Sequence, residues 1–282
     1  MKSKKITFID LFSGCGGLSE GFIMTGNYEA LAHVEWEIPM VRTLRNRLTK
    51  KWNHSQEDSL KHVIHFDIQK TDELINGNWS DQTNSIYGNS NHEEVAQKGL
   101  KGLVGDKKVN LIIGGPPCQA YSVAGRAQDK NSMRNDPRNY LFRSYLEILE
   151  KHKPKIFVFE NVSGLLSAKP NGNYIFPEIV KNMSEYYSIC DERDTILLNS
   201  VHYGVPQIRK RVILIGVRKD LKINPLDIYK AIKKTHYSPD MEANNETNGL
   251  QKYLTVKDAI WDLPKLFPGE GKEEINHKVP SK

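Results

Sequence analysis

Cysteine is scarce, long apolar runs are missing and acidic residues are outnumbered. Each shortage removes a class of protein. Three cysteines, Cys15, Cys118 and Cys190, are spread over 282 residues. They are too few and too scattered for a disulfide framework or a zinc site, and they read as reduced thiols in a cytosol. No stretch approaches the roughly 18 apolar residues that a membrane helix needs. The start, Met1-Lys2-Ser3-Lys4-Lys5, leads straight into ITFIDLF without an apolar leader and cleavage site, so secretion is not expected. Lysine and arginine total 40 against 34 acids, a formal charge of +6. That balance suits a polyanionic partner without identifying one. Apolar residues at 38% and charged residues at 26% make a polar but foldable chain. Its length fits one large domain or a domain and a half.

What is present is an alternation of strand and helix patterns. Short apolar runs predict strands at Ile6–Leu11, Tyr28–Val34, His62–Ile68, Val109–Ile113 and Lys155–Phe159, with two more at Thr195–Leu198 and Val212–Val217. Pro39–Trp52 reads as a helix with Met40, Val41, Leu44 and Leu48 on one face. Tyr140–His152 does the same with Leu141, Tyr145, Ile148 and Leu149, and Pro154 stops it. A third helix starts at Pro177 and carries Val180, Met183 and Tyr187. This order predicts a doubly wound α/β fold, a mainly parallel sheet with helices on both faces. The last two strands, joined by about a dozen residues with little helical pattern, are expected to pair antiparallel at one edge. Asn76–Lys108 is polar and reads as an inserted surface segment. Asp220–Tyr253 is similar, with a flexible tip at Asn244–Gly249. The α/β domain is therefore drawn over residues 1–218, with 219–282 as a polar connector and the start of a further region.

Four places along this frame carry chemistry. Strand Ile6–Leu11 runs into Phe12-Ser13-Gly14-Cys15-Gly16-Gly17-Leu18, where glycines permit a tight turn and the following helix offers free N–H groups. The spacing is not the dinucleotide G-x-G-x-x-G, which weakens a nicotinamide reading. Strand two ends in Glu35-Trp36, a carboxylate placed for ribose hydroxyls and an indole placed to stack on adenine. Strand three ends in Phe66-Asp67-Ile68, where Asp67 suits an adenine amino group. A glycine turn is most often only a turn, and Glu35 alone suits a solvated cap. Three such features, each at the carboxyl end of its strand, point to a cofactor.

Strand four runs into Gly114-Gly115-Pro116-Pro117-Cys118-Gln119-Ala120-Tyr121-Ser122. A lone free cysteine is more often inert and packed than reactive. Its company changes that weighing. Strand five ends in Glu160-Asn161-Val162, which brings a carboxyl group to the same crevice. Gln207-Ile208-Arg209-Lys210-Arg211 places two guanidiniums on one face of an extended segment.

Phe12–Gly17, Pro116-Pro117-Cys118-Gln119, Glu160-Asn161-Val162 and Gln207-x-Arg209-x-Arg211 resemble, in order, the motifs of the cytosine-C5 DNA methyltransferases. The resemblance covers about Lys5 to Arg218 and extends weakly through Thr255–Pro264. It implies a class I, Rossmann-like methyltransferase that uses S-adenosylmethionine on a cytosine of double-stranded DNA. By similarity Cys118 is the nucleophile for cytosine C6, Glu160 acts at N3, and Arg211 contacts O2. Arg209 supports the loop or the cysteine, and Asn161 orients the strand end and Pro117. Phe12, Gly14, Gly16, Gly17 and Leu18 match the cofactor loop near the methionine part, Glu35 the ribose contact and Trp36 the adenine face. Asp67 and Ile68 match its edge, Leu141 lies further along the pocket, and Pro117 sits beside the sulfonium. Cys15 is read as packing and Cys190 as structural. Base flipping is implied, with Ala120–Tyr140 as a closing loop. In that loop Arg126, Lys130, Arg134 and Arg138 outweigh Asp129 and Asp136 by +2, and Ser122, Asn131 and Ser132 suit phosphate contacts.

Family members continue into a recognition domain and a helix that returns beside the glycine loop, whereas eighteen residues follow Pro264 here. The resemblance therefore implies the catalytic N-terminal portion, with recognition supplied by a second chain or a C-terminal half. A bacterial or phage modification system in the cytoplasm is the expected setting. An RNA (transfer RNA) cytosine methyltransferase and a non-catalytic DNA-binding subunit are the alternatives. Tyr121-Ser122 fits the DNA branch better.

Overall fold

The computed structural model describes residues 4–117, 140–170 and 172–270. The chain divides into two compact units, one comprising residues 1–197 and 211–229, the other 198–210 and 230–282.

The first unit is built on a sheet of strands β1 (Ile6–Leu11), β2 (Tyr28–Glu35), β3 (Val63–His65), β4 (Leu111–Gly114), β5 (Ile156–Val162), β6 (Tyr187–Ile189) and β8 (Lys210–Arg218). Their order across the sheet is β3-β2-β1-β4-β5-β8-β6. β1 is parallel to β2 and to β4, and β4 to β5. β8 runs antiparallel to both β5 and β6. The antiparallel edge and the pairing of the last two strands are as expected, Leu197–Asn199 pairing with β8; what differs is that β8 lies between β5 and β6, and β6 ends the order. β6 was hidden because Tyr187 continues the helical spacing of Val180 and Met183, while the helix ends at Met183. Burial of Tyr187 on the sheet, with its hydroxyl donating to Pro154 O at 3.1 Å, outweighs that local pattern. Thr195 likewise lies in a one-turn helix, Arg193–Ile196, ahead of the short strand β7 (Leu197–Asn199). His62 ends a helix rather than starting a strand.

Helices cover the sheet where the periodicity placed them. Helix Ile38–Trp52 starts with proline in its first turn and buries Val41, Leu44 and Leu48 against Val63. Met40 is 41% exposed, one position off that apolar stripe. Helix Gly17–Met24 lays Leu18, Phe22 and Ile23 on Phe8, Leu111 and Ile113. Each of these aliphatic or aromatic side chains, once fully buried, contributes about 2 kcal/mol. Helix Leu141–His152 buries Leu141, Phe142, Tyr145, Ile148 and Leu149 and ends on left-handed Lys153, before Pro154.

The polar stretch Asn76–Lys108 does not form a bare surface insertion. It folds as helices Asp81–Tyr87 and Glu93–Val104. Thr83, Val95, Leu100 and Val104 are buried, and Trp79 stacks on Phe66 with ring centroids 4.7 Å apart. Its few apolar residues recur at helical spacing, which the surrounding Asn, Gly and Ser obscured.

In the second unit, the turn Ser200–Tyr203 ends on Gly204 at φ 77°, with the His236 ring against it. Helix Val256–Ile260 carries a capping box between Thr255 and Asp258. Leu254, Val256, Trp261, Leu263 and Phe267 are exposed.

Candidate active site

In the order β3-β2-β1-β4-β5 the chain reverses direction across the sheet between β1 and β4. Loops leaving the carboxyl ends of those two strands diverge and open a crevice, the usual ligand position of such sheets. The turn after β1 lies on one side of it. Phe12 sits at φ 57° and Gly16 at φ 80°, both left-handed. Phe12 pays backbone strain of about 1–3 kcal/mol to face the crevice. At Gly16 the left-handed φ favours glycine, and a Cβ there would also displace Leu44 Cδ1, 2.4 Å away. Gly17 and Leu18 open the following helix.

The crevice is a cavity of about 210 Å³ lined by Phe12, Val34, Glu35, Trp36, Glu37, Phe66, Asp67, Ile68, Gln69, Pro117 and Leu141. Six residues expected at a cofactor (Phe12, Glu35, Trp36, Asp67, Ile68 and Leu141) converge on it, together with Pro117. Glu35 Oε2 accepts the Gly14 N–H at 2.7 Å, and Oε1 accepts the N–H groups of Trp36 and Glu37, both at 2.9 Å. The glycine turn is thereby tied to the end of β2; Oε1 is filled by its two donors, while Oε2 keeps one lone pair. Asp67 Oδ1 accepts the Gln69 N–H at 3.0 Å. Trp36 is 57% exposed and offers a free aromatic surface at the rim. Val34, Glu37, Phe66 and Gln69 were not singled out in the sequence; each flanks a residue that was.

A second cluster stands at the ends of β5 and β8. The Arg211 Nε lies 2.9 Å from Glu160 Oε1 across these antiparallel strands. Gly115 backs the same carboxyl group: a Cβ there would lie 2.7 Å from Glu160 Oε2. Gly115, just after β4, thus leaves the volume that Glu160 fills, while Gly114 makes room for Leu11 and Tyr145. Asn161 is 1% exposed. Its Nδ2 donates to Pro116 O at 3.2 Å and its Oδ1 accepts the Val162 N–H at 2.9 Å. It fastens the proline turn to β5 through the carbonyl preceding Pro117.

Cys118 and the segment through Asn139, with the basic loop residues and Tyr121-Ser122, lie outside the described residues. Arg209 belongs to the second unit, where its N–H donates to Asn199 Oδ1 at 3.1 Å. Cys15 Sγ contacts Met40 Sδ at 3.1 Å. Cys190 is half-buried.

Two buried titratable groups beneath the crevice escaped the sequence reading. Asp10, on β1, is 1% exposed and pairs in register with His33 on β2. Burial pushes the Asp10 carboxyl up to about 8; Ser19 pulls it down and the Glu35 charge adds to the rise. Burial drives His33 down to about 4. Neither side chain closes a hydrogen bond of ordinary geometry. Among the described residues no cluster of ligands for a metal ion is present, and no helix is long and apolar enough to cross a membrane.

A sequence profile of the C-5 cytosine-specific DNA methylases matches residues 6–100 and 75–282. A Type II methyltransferase of Bacillus paralicheniformis is 34% identical over 292 residues, spanning 93% of this chain and 62% of that protein. One from Bacillus subtilis is 33% identical over 265 residues, spanning 93% of this chain and 52% of that protein. Among solved structures, a prophage-encoded protein of E. coli described as a DNA modification methyltransferase aligns with a TM-score of 0.58 and 26% identity, covering 93% of this chain and 56% of that one. The chain spans between 52% and 62% of the length of these two curated relatives.

Proposed function

The chain belongs to the C-5 cytosine-specific DNA methylase family, and on that premise we propose that it carries the catalytic machinery of a DNA cytosine-5 methyltransferase, taking methyl from S-adenosylmethionine to double-stranded DNA. The observation that carries the reading is the convergence at one end of the sheet. The Phe12–Glu35–Trp36–Asp67 cavity and the Glu160–Arg211 pair both sit at strand ends beside the Pro116-Pro117 turn. The cavity's lining fits the cofactor: an aromatic rim for adenine, a carboxylate with a spare lone pair on Glu35 Oε2 for a ribose hydroxyl, and a second carboxylate for the adenine edge.

When bound, S-adenosylmethionine supplies an electrophilic methyl group on its sulfonium. The protein must make cytosine C5 nucleophilic. The Cys118 thiolate adds to C6, the C5–C6 double bond opens, and its electron pair becomes available at C5. Glu160 holds the proton at N3, and Arg211 stabilises charge on O2 while orienting Glu160. After C5 has gained the methyl group, removal of its proton restores the double bond and expels the Cys118 thiolate. Asn161 keeps the turn that carries Pro117 in register with Glu160. The target base must leave the duplex to reach this site. The relatives' Type II names support a place in bacterial restriction–modification, in the cytoplasm. Target recognition we assign to a further part, in the same polypeptide or a second chain.

The test is transfer of labelled methyl from S-adenosylmethionine to mixed-sequence duplex DNA, with transfer RNA as a competing substrate. Cys118→Ala is expected to abolish transfer while S-adenosylhomocysteine still binds. Retained transfer in that variant would sink the mechanism, and preferential labelling of transfer RNA would replace the substrate.

A further inference from the structure

Trp36 offers its indole to the cavity from an exposed position, so its placement depends on its backbone. The Trp36 N–H is held by Glu35 Oε1. Its carbonyl is held by a histidine of the neighbouring strand: His65 Nε2 lies 2.9 Å from Trp36 O. His65 Nδ1 lies 2.6 Å from Ser90 Oγ, in the segment between helices Asp81–Tyr87 and Glu93–Val104. The same segment grips β3 by its backbone. Asn91 Oδ1 accepts the His65 N–H at 2.8 Å and Asn91 Nδ2 donates to His65 O at 2.8 Å, in place of the ladder that an edge strand lacks. The Tyr87 ring stands edge-on to His65 at 5.1 Å.

These contacts assign the tautomer. A carbonyl oxygen only accepts, so the proton of neutral His65 sits on Nε2, which leaves Nδ1 an acceptor facing the Ser90 hydroxyl. The one Ser90 proton has two acceptors within reach, His65 Nδ1 at 2.6 Å and Tyr87 O at 2.9 Å, and Tyr87 O also takes a hydrogen bond from Asn91 Nδ2 at 2.9 Å. Partial burial, with Arg45 nearby, lowers the pKa of His65 and favours this neutral form.

We propose that His65 is a positioning residue for the cofactor's adenine: by joining the Trp36 carbonyl to Ser90, it fixes the spacing between the Trp36 ring and Asp67 across the cavity. The inference rests on the adenosylmethionine reading of that cavity. It makes the Trp79–Asn91 segment, which also stacks Trp79 on the cavity-lining Phe66, the outer support of the adenine end.

Calorimetric titration with S-adenosylhomocysteine and with adenosine tests it, on the full chain and three variants. A glutamine amide nitrogen reaches the place of His Nε2, whereas asparagine reaches only that of Nδ1. His65→Gln should therefore bind both ligands within about twofold of the parent, while His65→Asn and His65→Ala weaken both by about five- to tenfold, the worth of one hydrogen bond. Melting temperatures of the Gln and Asn variants should agree, which separates positioning from general stability. Nitrogen-15 NMR of the unliganded chain should show the His65 proton on Nε2. Equal binding by the Gln and Asn variants, at either level, or a proton on Nδ1 would overturn the proposal. A parent chain that binds neither ligand but shows the Nε2 tautomer would instead overturn the cofactor reading, and the adenine role with it.

Discussion

Replacing Asp10 with asparagine should remove a pH dependence of stability that the burial of this carboxyl imposes. The folded chain holds the Asp10 proton up to about pH 8, whereas the unfolded chain releases it near 3.8. Between those values the native state binds more protons than the unfolded state, so stability falls as pH rises, by about 1.4 kcal/mol per pH unit. Below 3.8 both states are protonated and Asp10 contributes no slope; above about 8 the loss is complete. His33 acts in the opposite sense. Its folded value of about 4 lies below the ordinary 6.5, so stability rises with pH across that window. Because His33 is common to both chains, its contribution cancels in their difference. Asparagine does not titrate and is nearly isosteric with the protonated acid. The stability of Asp10→Asn relative to the parent should therefore improve by up to about 3 kcal/mol from pH 5 to pH 7. Urea unfolding of both chains at pH 5, 6 and 7, followed by circular dichroism, reads this directly. A difference that stays constant with pH would refute the account of Asp10 as a buried, protonated carboxyl.

Other outcomes follow from the packing around Glu160. Gly115→Ala puts a Cβ 2.7 Å from Glu160 Oε2, so methyl transfer should fall at least about tenfold. S-adenosylhomocysteine affinity, measured alongside, should stay within about twofold. Asn161→Ala leaves Pro116 O and the Val162 N–H without these partners in a buried setting, and urea unfolding should show a loss of about 2–3 kcal/mol.

Much of this is legible in the amino-acid sequence. Apolar runs located β1, β2, β4, β5 and β8 to within a few residues, because a strand buried on both faces must be apolar throughout. The residues at their carboxyl ends could be named because chemistry demands particular types: glycine for the turn, carboxylates for hydroxyl and amino groups, aromatic faces for a base. The errors fall where a local pattern is ambiguous. Tyr187 fits a helix and a strand equally well until Pro154 is found opposite it. Trp79, Thr83 and Leu100 look like stray residues in a polar stretch until Phe66 and its neighbours are there to bury them.

By itself, then, the sequence determined the class of fold, the order of the motifs and the kinds of side chain that reach the crevice. Those properties follow from local periodicity and from the chemistry of single residues. Only the tertiary structure decided that β8 lies between β5 and β6, which sets Arg211 against Glu160 from a position fifty-one residues away. It also decided that a polar stretch supports His65, and that Asp10 and His33 are sealed from water. These depend on which surfaces meet across long sequence separations, and desolvation of a carboxyl group is a property of everything packed around it.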